Sequence, residues 1–138
     1  MEAADIQEAQ AVPPIQGETI LVVDDDPEVA RVLADMLSAD GHQAETATNG
    51  AIALHKLSMR SYDLILSDIK MPELDGPGFY RELERGYPHL LRRLGFLTGD
   101  TLSPRTRQFM ERAGVPGLSK PFTPEDVRRV LRRLVQRA

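Results

Sequence analysis

Strand-like and helix-like segments alternate five times along this chain from Thr19 onward, and this alternation limits the fold more than any other feature. Two nearly continuous apolar runs, at 20–23 and 63–68, are typical of strands that are buried on both faces of a sheet. Three more strands are predicted at 42–46, 92–99 and 115–119. Apolar residues at helical spacing predict helices at 27–40, 50–59, 79–86, 104–113 and 124–136. A strict β–α alternation predicts an α/β fold, with a parallel five-stranded sheet and five helices on its two faces.

Four of the predicted helices share one start signal, a proline at the first helical position. Proline loses no hydrogen bond there, and a preceding Asp, Ser or Thr can accept from the free N–H groups of the first turn. The four pairs are Asp26-Pro27, Gly76-Pro77, Ser103-Pro104 and Thr123-Pro124. We therefore interpret Asp26 as a helix cap rather than as a metal ligand.

Length and composition suit a single domain that follows a short leader. The chain has 138 residues, a formal net charge of −4 and no cysteine, which indicates neither nucleic-acid binding nor a disulfide framework. Residues 1–18 are rich in Ala, Gln and Glu and contain Pro13-Pro14, which favours extended backbone. We predict a flexible leader or linker at 1–18 and one domain at 19–138. No apolar run suits a membrane span or a signal sequence, so the expected location is cytoplasmic.

Polar residues gather where the predicted strands end, and they indicate the chemistry of the site. The first strand ends at Asp24-Asp25, the third at Asp68, the fourth at Thr98 and the fifth at Lys120. Ligands of open α/β sheets bind at the carboxyl ends of the strands, so these side chains are expected to share one cleft. Carboxylate oxygens suit Mg²⁺, and the lack of cysteine argues against zinc. We predict that Asp24 and Asp25 hold the metal ion and that Asp68 attacks a phosphorus atom to become an acyl phosphate. Thr98 and Lys120 would then contact phosphoryl oxygens.

Four motifs at these strand ends together resemble the receiver domain of two-component response regulators. They are ILVVDDDPEV (20–29), DLILSDIKMPELDG (63–76), FLTGD (96–100) and LSKPFT (118–123). Each motif is weak alone, but four in this order are specific, and the resemblance covers nearly all of the chain after the leader. It implies a flavodoxin-like, doubly wound sheet of strand order 2-1-3-4-5. It also implies a switching module that accepts a phosphoryl group from the phosphohistidine of a histidine kinase or phosphotransfer domain.

The resemblance also assigns roles to single residues. Asp24 and Asp25 correspond to the acids that bind Mg²⁺, with Mn²⁺ as a substitute, and Asp68 corresponds to the phosphoacceptor, which is also a metal ligand. Lys70 corresponds to the residue whose backbone carbonyl contacts the metal ion. Thr98 is the counterpart of the switch hydroxyl, and Lys120 is the counterpart of the family's lysine. The isolated domain is then not an enzyme beyond its own phosphorylation and dephosphorylation.

The chain departs from many members of that family at Gly117, three residues before Lys120, where they carry Tyr or Phe. That ring turns inward when the threonine hydroxyl moves toward the phosphoryl group, and glycine has no side chain to rotate. We therefore predict that phosphorylation reshapes mainly the loops at 70–75 and 99–103.

Other interpretations of the same residues stay open. A haloacid-dehalogenase-like phosphatase would use Asp24 as its nucleophile, but Glu28 stands where that family has Thr or Val, and the chain has no cap-domain insertion. An FMN site of the flavodoxin type is disfavoured because the acidic first loop would repel the flavin phosphate. The arginines of the last helix predict either a solvated face, which we favour, or a docking surface for an acidic downstream protein or a second receiver.

The origin of the chain also has two interpretations. It is either a stand-alone regulator or the C-terminal receiver of a hybrid histidine kinase, in which case the parent protein would be an enzyme. The motifs FLTGDTLSP and GVPGLSKPF favour the hybrid kinase, and the leader would then be the linker from its ATPase domain.

Overall fold

The computed structural model describes residues 12–99 and 103–136, and these form a five-stranded parallel sheet with the order β2-β1-β3-β4-β5. The strands are β1 (Thr19–Val23), β2 (Gln43–Ala47), β3 (Leu64–Asp68), β4 (Leu94–Thr98) and β5 (Gly117–Ser119). The helices are α1 (Pro27–Ala39), α2 (Gly50–Met59), α3 (Gly76–Gly86), α4 (Pro104–Ala113) and α5 (Pro124–Gln136). The predicted α/β fold and its flavodoxin-like strand order are confirmed.

A short 3-10 helix at Pro88–Arg93 lies between α3 and β4, where part of a strand is predicted. Pro88 starts this helix, and the amide of Leu90 donates to the carbonyl of Tyr87 at 2.9 Å. Its last two residues, Arg92 and Arg93, are therefore helical instead of belonging to the strand predicted at 92–99. Helix α3 begins at Gly76, three residues earlier than predicted, because the carboxylate of Asp75 accepts from the amide of Gly78 and caps the first turn.

The two central strands explain why the apolar runs in the sequence are continuous. Alternate residues of β1 face opposite sides of the sheet, so Leu21 and Val23 join the cluster under α2, α3 and α4. Ile20 and Val22 join the cluster under α1 and α5. All four side chains are fully buried, and each such burial stabilises the fold by about 1.5–3 kcal/mol.

The two edge strands are polar or short. Strand β2 has the sequence QAETA, and its Glu45 accepts hydrogen bonds from Tyr62 and Arg60. Burial and the bond to Glu45 raise the pKa of Tyr62 to about 12. Strand β5 has three residues, and Pro116 and Pro121 lie on either side of it.

Backbone hydrogen bonds continue past the strand ends and align the loops that carry the polar residues. The amide of Asp24 donates to Ala47 at 3.0 Å, and the amide of Lys120 donates to Thr98 at 2.8 Å. The loops that follow β1 and β5 therefore leave the sheet at the same end, the carboxyl end of the strands. Within the described ranges, no helix has the length and apolar character needed to cross a bilayer.

Candidate functional site

Three carboxylates meet at the carboxyl ends of the central strands. Asp24, Asp25 and Asp68 each offer an oxygen atom, and these atoms lie within 4.8 Å of one another. Strands β1 and β3 are parallel neighbours in which Val23 is paired with Ser67, so the residues that follow this pair lie side by side. Asp24 and Asp68 are buried, whereas Asp25 is exposed. The structure thus brings together the three acids that the motifs predict.

The two buried carboxylates accept the same kind of hydrogen bond from the backbone. Oδ1 of Asp24 accepts from the amide of Asp26 at 2.9 Å, and Oδ1 of Asp68 accepts from the amide of Lys70 at 3.4 Å. Each is a bond from a side chain to the backbone two residues later, which aspartate favours in turns. The motifs do not predict this role for the amide of Asp26, although three successive aspartates after a strand are a signal for such a turn.

Lys120 balances part of this negative charge. Its Nζ lies 3.0 Å from Oδ2 of Asp24 and 3.4 Å from Oδ2 of Asp68, and its side chain is 28% exposed. Burial alone would lower the pKa of Lys120, but the hydrogen bonds and charges of the two aspartates outweigh burial and raise it. The lysine therefore stays a cation within the cluster.

The surroundings of Asp68 favour the neutral form of its carboxyl group. Burial and the charge of Asp24 raise its pKa, and this effect exceeds the opposing influence of Lys120 and of the Lys70 amide. Three carboxylates and one ammonium group leave an excess of negative charge at this end of the sheet.

Oδ2 of Asp24 is fully buried and pairs with a cation, Nζ of Lys120 at 3.0 Å. A buried anionic oxygen requires a positive partner, and three carboxylates that share one lysine carry enough negative charge for a second cation. The all-oxygen donor set suits a hard cation such as Mg²⁺.

The other predicted site residues lie around this cluster, and their roles stay predictions. Thr98 is buried at the end of β4, and its hydroxyl makes no hydrogen bond with the described residues. The side chain of Lys70 is exposed. Asp26 caps α1, because its Oδ1 accepts from the amide of Glu28 at 3.0 Å, as predicted.

The position of Gly117 shows what occupies the space beside Thr98. A Cβ atom built on Gly117 would lie 3.1 Å from the terminal methyl of Met110 and 3.8 Å from Cγ2 of Thr98. A side chain of α4 therefore occupies the space that a larger residue at position 117 would enter. Residues 100–102, which belong to one of the two loops predicted to respond to phosphorylation, lie outside the described residues.

A cavity of about 640 Å³ opens beside the cluster, between the start of α1 and the loop after β5. Lys120 reaches its wall, and acidic side chains at the start of α1 also line it. Its apolar part is formed by Val29, Val32 and Phe122. A surface with both apolar and charged groups next to the carboxylates suits contact with another protein.

A doubly wound sheet of this order, with an acidic cluster and a lysine at the carboxyl ends of its strands, defines a flavodoxin-like module. The chain belongs to the response regulator receiver domain family, whose sequence model matches residues 20–132. The predicted family and the predicted function as a receiver domain of two-component signalling are confirmed.

Two sensor proteins contain segments that are similar in sequence to this chain. Sensor histidine kinase RcsC of Salmonella typhi is 37% identical in an alignment of 118 residues that covers 81% of this chain and 12% of RcsC. Sensor protein EvgS of Escherichia coli K12 is 40% identical over 79 residues, 55% of this chain and 7% of EvgS. The chain thus spans a small fraction of the length of these sensor proteins.

Solved structures show the same architecture. The receiver domain of a signal transduction histidine kinase from Syntrophus aciditrophicus has a TM-score of 0.75 and 33% identity, covering 86% of this chain and 90% of that one. Chemotaxis protein CheY4 of Vibrio cholerae has a TM-score of 0.73 and 30% identity, covering 84% of this chain and 97% of that one.

Proposed function

We propose that Asp68 accepts the phosphoryl group in this receiver domain and that Asp24, Asp25, Asp68 and the backbone carbonyl of Lys70 hold Mg²⁺, with Mn²⁺ as a substitute. The observation that carries this proposal is the position of Lys120, which contacts both Asp24 and Asp68 from one point. When bound, Mg²⁺ would supply positive charge that neutralises the phosphoryl oxygens.

The side chains of the chain divide the remaining work. A carboxylate oxygen of Asp68 forms a bond to phosphorus while the bond from phosphorus to the imidazole nitrogen of the donor breaks. The amide of Lys70 fixes the other oxygen of Asp68, which orients the carboxylate for attack. Lys120, which the aspartates keep protonated, pairs with a phosphoryl oxygen, and the hydroxyl of Thr98 donates to another.

The environment of Asp24 supports a ligand rather than a nucleophile. This carboxylate has no exposed surface, whereas the side chain of Asp68 is 10% exposed. Both carboxylates accept from a backbone amide and pair with Lys120, so access from solvent is what distinguishes them. The difference in access favours the receiver over the phosphatase interpretation, in which Asp24 is the nucleophile.

The cavity beside Lys120 suits the approach of the phosphodonor. Its apolar residues lie next to the cluster, and Val32 is 43% exposed, so a partner could bury them while it presents a phosphohistidine to Asp68. We infer that the donor is a histidine kinase or a phosphotransfer domain in the cytoplasm. The domain at 19–138 would pass the signal to a downstream protein or a second receiver.

Similarity to two sensor kinases supports the interpretation of the chain as the receiver of a hybrid histidine kinase. On this proposal, residues 1–18 join the receiver to the rest of the kinase.

Intact-mass analysis after treatment with acetyl phosphate tests the assignment of Asp68. We expect one phosphoryl adduct that requires Mg²⁺ and is suppressed by EDTA. Asp68→Asn should abolish the adduct because the nucleophile is gone. Asp26→Asn is the matched control, since asparagine also caps helices and Asp26 is not assigned to the metal ion.

Two results would contradict the assignment. An adduct that survives in Asp68→Asn but disappears in Asp24→Asn would favour the phosphatase interpretation. Loss of the adduct in Asp26→Asn, with an unchanged circular dichroism spectrum, would mean that Asp26 belongs to the site.

A further inference from the structure

Residues 12–18, named the strap here, lie along α5 and the turn between α1 and β2. Two arginines of α5 donate to strap carbonyls: Nε of Arg132 to Pro13 at 3.0 Å, and Nη1 of Arg128 to Val12 at 3.4 Å. Ile15 packs against the apolar cluster between the sheet, α1 and α5. The first half of the strap is therefore bound by one helix and by the core.

Arg128 is also fixed by an ion pair that does not involve the strap. Its Nε and Nη2 both donate to the carboxylate of Asp40 at 2.8 Å, which joins the end of α1 to α5. The hydrogen bond to Arg128 is the main reason why the pKa of Asp40 is lowered. A guanidinium fixed in this way loses little further freedom when its remaining Nη1 donates to the strap.

The proline pair suits these donors. Pro13 and Pro14 have no N–H groups, and extended proline segments leave their carbonyls without internal partners. Arginine side chains can therefore bind such a segment through its carbonyls alone, while Ile15 supplies the apolar contact.

The second half of the strap is held closely by the turn before β2. A Cβ atom on Gly17 would lie 2.9 Å from the backbone carbonyl oxygen of Gly41, so a larger residue would push the two backbones apart. The amide of Glu18 donates to Nδ1 of the buried His42 at 3.0 Å, and the carbonyl of Glu18 accepts from Gln43 at 2.9 Å.

We propose that α1 and α5 form a groove that binds an extended proline-containing segment, and that the strap of the same chain occupies it. The strap is then an integral part of the domain rather than a tether, and Arg128 and Arg132 bind it instead of an acidic partner. Val12 is thereby held beside α5, at a fixed point on the domain.

Backbone ¹⁵N relaxation of the full chain tests whether the strap is bound. We expect order parameters at residues 15–18 close to the value of about 0.85 that is typical of rigid backbone. Arg132→Met should lower these values and speed exchange of the Glu18 amide about tenfold, because a charge-assisted hydrogen bond to the strap is lost. Arg133→Met is the matched control, since Arg133 is the next arginine on the same helix and has no hydrogen bond to the strap in the described part of the chain.

Three outcomes would overturn the proposal. Strap order parameters below about 0.6 in the unmodified protein would show a flexible tether. Equal effects of Arg132→Met and Arg133→Met would show that the arginine contact does not hold the strap. A concentration-dependent doubling of mass with an ordered strap would show that a second copy supplies the segment. None of these measurements involves phosphate, so they are independent of the role proposed for Asp68.

Discussion

Replacing Asp68 by asparagine should stabilise the metal-free protein, although it removes the proposed phosphoacceptor. The raised pKa of Asp68 means that the folded state favours the neutral form of this side chain. Asparagine is neutral at every pH and can still accept the hydrogen bond from the amide of Lys70. The charge that the proposed function requires is thus held at a cost to stability.

The size of the effect follows from the distances in the cluster. With an effective dielectric constant of about 20, a carboxylate within 4.8 Å repels Asp68 by at least about 3.5 kcal/mol, and Lys120 at 3.4 Å attracts it by about 5 kcal/mol. These terms largely cancel, and the exposed Asp25 adds a weaker repulsion. The cost of burying a carboxylate that is only 10% exposed remains, and we expect Asp68→Asn to gain about 1–2 kcal/mol.

Urea unfolding at neutral pH in EDTA measures this gain directly. Asp35→Asn is a suitable control because Asp35 is exposed on α1 and also loses one negative charge. Added Mg²⁺ should reverse the order, since a ligand at a hundred times its Kd stabilises by about 2.7 kcal/mol and the variant lacks one of the carboxylates. At a pH low enough to protonate Asp68, the difference between the two proteins should vanish.

A loss of stability in Asp68→Asn without metal would refute this reasoning. It would mean that the attraction between Lys120 and Asp68 exceeds the repulsion and burial together. The pKa of Asp68 in the folded protein would then lie below its ordinary value instead of above it.

Four other substitutions test three separate parts of the structure. Lys120→Ala should retain Mg²⁺ binding, measured by calorimetry, because a competing cation is removed, but amide shifts on addition of beryllofluoride should be lost; weaker Mg²⁺ binding would contradict this. Burial lowers the pKa of His42, with Asp40 opposing, so the folded state binds fewer protons than the unfolded state. The free energy of unfolding should therefore fall as pH drops below about 6.5 toward the lowered pKa, and His42→Gln should flatten this dependence in urea titrations; an unchanged slope would contradict it. Gly117→Ala should change stability by less than about 0.5 kcal/mol because the one tight contact of its Cβ, at 3.1 Å, is with the flexible end of Met110. Gly76→Ala should cost more than about 1 kcal/mol because its Cβ meets backbone atoms of Ile69 at 3.0 Å. Thermal unfolding of both variants measures the difference.

Local sequence signals were sufficient for most of the fold. The apolar runs and the prolines at helix starts predict helix and strand positions to within a few residues. The 3-10 helix is the main exception, because its last two residues, Arg92 and Arg93, fall at the start of the strand predicted at 92–99.

The clustering of the candidate site was also predictable, because parallel strands bring their ends together whatever lies between them. The strap was not, since its contacts join residues that are far apart in the sequence. Arg128 binds Asp40 across 88 positions and Val12 across 116. A row of arginines on a helix looks like a solvated face until the fold shows what lies opposite.

The short fifth strand also affects the tendency of this domain to aggregate at high concentration. An open sheet edge offers free backbone groups that can recruit a strand from another molecule and begin aggregation. Strand β5 limits this risk because only Gly117–Ser119 is extended, and the prolines beside it cannot donate to an added strand. Lengthening this strand, or replacing Pro116 by a β-branched residue, would remove that protection and favour assembly along the sheet.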